Sequence, residues 1–170
     1  TSCAEEFRTY GPHSYADYVA AMLSPLAEKN LLKGRIGFGL GAGHKMHLNH
    51  SVSQALFAAL SGAEIVDIAD LLWRIRSIKS PLEIEKLRKS CEINCAAIDY
   101  GFNHMREGMT EMDLYGLIMS EYFRLGAERA LPIGLRAGAE RYAHSNCPPG
   151  YRPVKAGDII LIDGGPVYHG

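Results

Sequence analysis

The residues best suited to chemistry lie in the last part of the chain, His144 to Gly170. Asp163 follows the run Ile159-Ile160-Leu161-Ile162 and precedes Gly164-Gly165. That run is apolar, unbroken and rich in β-branched residues, the pattern of a buried strand. A carboxylate at the end of a buried strand must be paired, hydrogen-bonded or bound to a cation, because an isolated buried charge is very costly. The two glycines let a ligand or a second segment come close to the backbone. Local pattern leaves two roles open for Asp163: a turn cap or a ligand. His144 brings an imidazole, the side-chain type most often used for proton transfer. Cys147 is close by in sequence, but no third group is evident to orient a Cys–His pair.

Two other clusters carry weaker chemistry. His44, His47 and His50 form H-x-x-H-x-x-H. Imidazole is the commonest metal ligand, yet steps of three drift around a helix of 3.6 residues per turn. No acidic residue lies among them, so a polar surface loop is the better reading. Gly37, Gly39 and Ala42 fit a loose G-x-G-x-x-A dinucleotide pattern. The apolar run before it is short, and His44-Lys45 opens a phosphate-binding helix poorly. A glycine-tolerant strand and turn is expected there.

These groups need elements to hold them. A helix is expected from Tyr15 to Asn30, capped by Ser14, with a break near Ser24 because of Pro25. Strands are expected at Gly34 onward and at Ala63–Ile68, with a helix from Ser51 to Leu60 between them and a helix or turn capped by Asp70 after them. This β–α–β–α order suggests an α/β unit. Ser80-Pro81 starts a long helix to about Met105. Ile84, Leu87, Cys91, Cys95, Ile98, Phe102 and Met105 form its expected inner stripe, with both thiols as small core residues. Glu85 and Lys89 are expected to pair on its outer face. Thr110 and Asp113 make a capping box for a helix to about Leu125, with Leu114, Leu117, Ile118 and Phe123 inward. A strand near Ile133–Ala137 follows. Lys155-Ala156-Gly157-Asp158 reads as a tight turn, and Val167-Tyr168 as a strand closing a hairpin.

Composition sets outer bounds. The 170 residues carry a formal net charge of −1, which gives no electrostatic case for nucleic acid or a membrane surface. Hydrophobic content of 47% supports a packed core. No apolar run approaches the roughly 20 residues of a membrane span. The four cysteines form no C-x-x-C pair, and a reducing, cytoplasmic compartment fits them. The chain lacks a start Met and stops inside an expected strand, so it reads as a fragment.

Several pieces stand in a familiar order. They are Arg76-Ser-Ile-Lys-Ser-Pro-Leu-Glu-Ile-Glu-Lys-Leu-Arg88, Glu107-Gly-Met-Thr-Glu111, Gly126-Ala-Glu128, His144, Lys155-Ala-Gly-Asp-Ile-Ile-Leu-Ile-Asp-Gly-Gly165 and Tyr168-His-Gly170. In order and rough spacing this series resembles the opening half of the catalytic domain of the creatinase, prolidase and Xaa-Pro aminopeptidase family, the pita-bread metallopeptidases. The resemblance implies an α/β (α+β) chain: residues 1–79 as part of an N-terminal domain, residues 80–170 as the first half of the catalytic domain. It implies two divalent metals, manganese, cobalt or zinc, held by two Asp, one His and two Glu. Asp163 takes the place of the first Asp, and the other ligands fall beyond Gly170. The residues given are therefore expected to be inactive alone.

His144 takes the place of a histidine that faces the substrate. The implied reaction is hydrolysis of an Xaa-Pro peptide bond or a related C–N bond, on a peptide or small-molecule substrate, by a homodimer. Two relatives of different function stay open: a pita-bread domain that binds without catalysis, and a creatinase-like, metal-free amidinohydrolase. Asp163 in place argues against the latter. A nucleotide-binding domain built on Gly37 to Ala42 is a third, weaker reading.

Overall fold

The computed structural model describes residues 15–131, 134–144 and 147–170, with Tyr15 and Ala16 described by backbone alone. The expected cap Ser14 and the start of the strand at Ile133 lie outside the described residues. The chain divides into two compact units, one ending at Ile78 and the other Lys79–Gly170.

In the first unit, α1 (Tyr15–Glu28) runs through Pro25 instead of breaking near Ser24. Pro25 falls in the last turn, so its missing N–H interrupts little helix beyond it. β1 (Gly34–Phe38) and β2 (Ala63–Asp67) pair in parallel, from Gly34↔Ala63 to Phe38↔Asp67. A parallel pair needs a crossover, and α2 (His50–Ala59) supplies it. The cap of α2 is Asn49, not Ser51: Asn49 Oδ1 accepts the Val52 N–H at 2.9 Å. α3 (Ala69–Ser77) has no capping side chain at its Ile68 cap, and Asp70 lies inside its first turn. Val52, Leu56, Leu60 and Ala69 are buried.

In the second unit, α4 (Pro81–His104) and α5 (Glu111–Arg124) start as their sequences dictate. Ser80 and Glu83 close one capping box, Thr110 and Asp113 the other. The packed face of α4 differs from the expected stripe. Ile93, Ala97 and Gly101 are buried, while Ile84, Leu87, Phe102, Cys91 and Cys95 are exposed. The thiols are thus not core residues. The reason is close approach: a Cβ at Gly101 would meet Ile118 Cγ1 at 2.7 Å, so only the small-residue face admits α5. Polar groups on that face find partners. The Tyr122 hydroxyl donates to Asn94 Oδ1 at 2.5 Å, and the Ser90 hydroxyl to the Pro166 carbonyl at 2.8 Å. On α5 the inward residues are Leu114, Ile118 and Tyr122, whereas Phe123 is exposed. Lys89 pairs with Glu92 at 3.3 Å rather than with Glu85.

Four short strands complete the unit: β3 (Arg129–Ala130), β4 (Gly134–Ala137), β5 (Ile160–Asp163) and β6 (Pro166–Val167). β4 pairs antiparallel with β5, and β3 with β6. The expected hairpin between β5 and the next strand is replaced by pairing of β6 with β3, a strand too short to show a sequence pattern. Leu135 joins Ile93, Ala97, Leu114, Ile118, Tyr122 and Ala127 in the core, with Ile160 and Ile162 packed against them.

Candidate active site

The β4–β5 ladder decides where Asp163 points. Its register is Gly134↔Asp163, Leu135↔Ile162, Arg136↔Leu161 and Ala137↔Ile160. Opposed residues of an antiparallel pair share a face, and the face alternates along each strand. Leu135, Ala137, Ile160 and Ile162 therefore take the core side. Gly134, Arg136, Leu161 and Asp163 take the other. The apolar run is consequently only half buried, and Leu161 and Asp163 are exposed. This corrects the expectation of a carboxylate forced into a partnership by burial. Among the described residues the Asp163 carboxylate has neither a hydrogen-bond nor an ion-pair partner, so it caps no turn. A Cβ at Gly165 would meet nothing within 4 Å, which leaves open space on that side of the strand end.

The loop that carries His144 crosses this same face. The Arg136 guanidinium donates from Nη1 to the His144 carbonyl. A Cβ at Gly134 would lie 3.9 Å from both Asp163 Cβ and the Cys147 carbonyl oxygen. The structure thus brings the Cys147 carbonyl beside the strand position of Asp163. The His144 N–H donates to the Arg141 carbonyl at 3.3 Å. Its ring is exposed and, among the described residues, has no partner. No hydrogen bond joins it to Cys147, so no Cys–His pair forms there.

Sequence reasoning missed the side chain that braces this loop. Glu111, in the first turn of α5, is fully buried. Its Oε1 accepts the Ala137 N–H at 2.8 Å. Its Oε2 accepts the Gly150 N–H at 2.8 Å and Arg141 Nη2 at 2.9 Å. Arg141 Nη2 also donates to the Pro148 carbonyl at 2.9 Å. One carboxylate therefore ties the α5 terminus to β4 and to both ends of the 138–150 loop. A second tie lies below it. Gly138 has φ +87°, and a Cβ there would meet Arg152 Nη2 at 2.5 Å. Arg152 grips Asp158 through Nη1 at 2.6 Å and Nη2 at 3.2 Å, and also donates to Glu140. Arg152, then the Lys155 N–H, holds the Asp158 carboxyl below its ordinary pKa. The expected turn at Lys155–Asp158 forms, with Lys155 N–H on Asp158 Oδ2 at 2.9 Å.

The weaker clusters resolve differently. Asp67 Oδ1 accepts the N–H groups of Ala69 at 2.9 Å, Leu40 at 3.0 Å and Gly41 at 3.3 Å. Those amides, Ala69 first, hold its pKa low. The glycine-rich loop thus spends the amides a phosphate would use on its own aspartate. His44 stands against Trp73, with ring centroids 5.1 Å apart, and His50 begins α2. Among the described residues no three His, Cys, Asp or Glu side chains gather into a metal-holding group. As a hard, exposed, unpartnered oxygen donor Asp163 suits a divalent cation. As a lone donor it cannot hold a metal pair, and the described residues do not by themselves fit one.

The class of protein is fixed by family membership, and it is a metallopeptidase-type domain. Residues 85–170, half of the chain, match metallopeptidase family M24, and the chain belongs to that family. An X-Pro aminopeptidase from Thermotoga maritima MSB8 shares the fold at a TM-score of 0.75, with 23% identity, over 89% of this chain and 41% of its own. Proline aminopeptidase P II from Yersinia pestis does so at a TM-score of 0.70, with 26% identity, over 89% of this chain and 36% of its own. An uncharacterized peptidase of Staphylococcus saprophyticus is 29% identical over 122 residues, which is 72% of this chain and 35% of that protein. The chain spans between about a third and two fifths of the length of these relatives. Its mixed helix and strand architecture is that of the pita-bread domain. Among the described residues no helix is long and apolar enough to cross a membrane.

Proposed function

We propose that the intact protein is a metal-dependent hydrolase that cleaves an Xaa-Pro peptide bond, or a related C–N bond, of a peptide or small substrate. Residues 1–79 would be part of its N-terminal domain and 80–170 the first half of its catalytic domain. Asp163 would be one ligand of a pair of divalent cations, manganese, cobalt or zinc, which when bound supply an activated water. His144 would face the substrate, where a free imidazole can hydrogen-bond or pass a proton. A cytoplasmic protein is in keeping with the exposed thiols of Cys91 and Cys95. A homodimer rests on the family resemblance alone.

One observation carries this reading: an unpartnered Asp163 shares a sheet face with a loop whose backbone is held at His144 while the ring stays free. The test is Asp163→Asn in the intact protein, with Ala-Pro hydrolysis and Mn²⁺ stoichiometry measured together. The variant should keep the fold, lose most activity and bind less Mn²⁺. Near-normal turnover would remove Asp163 from the ligand set. A wild-type protein that binds peptide but neither Mn²⁺ nor hydrolyses Ala-Pro would be a binding module instead.

A further inference from the structure

We propose that Arg136 is a positioning residue for His144, a role that rests on the reading of His144 as the substrate-facing group. Arg136 is only 8% exposed. Among the described residues no carboxylate pairs with it, and its Nε is buried without a partner. A buried guanidinium lacking an acid is costly. An apolar side chain of similar length would fill the same place more cheaply, so stability does not account for the charge. What the charge does in the structure is donate to the His144 carbonyl.

The anchor of that bond is rigid. Arg136 lies in β4 between Leu135 and Ala137, both fully buried, and is paired with Leu161. The His144 N–H is bound from the other side by the Arg141 carbonyl, and Arg141 is itself tied to the buried Glu111. The backbone of His144 is therefore fixed at both its donor and its acceptor while its ring remains unbonded. That arrangement fixes the Cα from which the ring projects and leaves both ring nitrogens free for a substrate. Arg136 also shares the sheet face of Asp163, so the same side chain sets the loop against the strand end.

The experiment is a double-mutant cycle in the intact, Mn²⁺-loaded protein, with Arg136→Met, His144→Ala and both together, and Arg136→Lys as the conservative variant. Misplacing a reacting group by about 1 Å can cost on the order of 10²-fold in rate. Arg136→Met should lower kcat for Ala-Pro by roughly that factor with KM changed little, and Arg136→Lys should recover part of it. The double variant should be no slower than His144→Ala alone, because groups that act through one another do not add. Additive losses, or wild-type kcat in Arg136→Met, would overturn the proposal. If the wild-type protein does not hydrolyse Ala-Pro, the proposed function fails, and the positioning role is judged by NMR. There, in the metal-free protein, the His144 ring signal should shift or broaden in Arg136→Met while those of His44 and His50 stay in place. An unmoved His144 signal would overturn it on that arm.

Discussion

Replacing Glu111 with glutamine probes the brace beneath the His144 loop. The carboxylate accepts three hydrogen bonds, from Ala137 N–H on one oxygen and from Gly150 N–H and Arg141 Nη2 on the other. A glutamine keeps one carbonyl oxygen and presents an –NH₂ in place of the second. In its better orientation the oxygen faces Gly150 and Arg141, and the –NH₂ meets the Ala137 N–H, donor against donor. The buried amide then loses its acceptor, which costs about 1–3 kcal/mol. The Gly150 bond falls to neutral strength and the Arg141 bond keeps only its cationic donor, a loss of roughly 1 kcal/mol each. We expect a total loss of about 3–5 kcal/mol, a large share of an ordinary domain stability of about 5–15 kcal/mol. Urea unfolding followed by circular dichroism measures the loss. Hydrogen exchange at the Ala137 amide locates it, with the β1–β2 amides as an internal control. A loss below about 1 kcal/mol, with Ala137 exchange unchanged, would refute the claim that this carboxylate braces the loop.

Gly101→Ala should destabilise the second unit by about 1–2 kcal/mol. The new methyl would lie 2.7 Å from Ile118 Cγ1 and 3.2 Å from Leu114 Cδ1, and overpacking outweighs the gain in helix propensity. A variant with a raised urea midpoint would show that α4 and α5 can separate freely. Asp158 predicts an acid dependence. Arg152, then the Lys155 amide, depresses its folded pKa below the ordinary 3.8. Its contribution to stability is therefore present at neutral pH and is lost as pH falls through the folded value. Asp158→Asn should flatten the acid limb of the stability curve, so parallel acid limbs in the two proteins would contradict the Arg152–Asp158 tie.

Much of the frame was legible in residue order. The capping boxes at Ser80 and Thr110, the turn at Lys155–Asp158 and the parallel crossover through α2 follow from local chemistry, which acts within a few residues and leaves its mark in a few residues. The family series from Arg76 to Gly170 pointed to Asp163 and His144 as the residues to watch. What each side chain meets was not legible. Periodicity gave α4 an apolar stripe, but the face that packs is chosen by Ala97 and Gly101, because closeness of approach to α5 outweighs hydrophobicity alone. An apolar run at Ile159–Ile162 does not say whether both faces are covered. Only the β4 register shows that Asp163 stands on the open one. Glu111 looks like an ordinary first-turn acid, and Arg136 like a charge on a short strand. Their roles depend on partners 26 to 39 residues away for Glu111 and across a loop for Arg136. Local pattern carries local geometry, whereas a brace between distant backbone groups exists only once the chain has closed on itself.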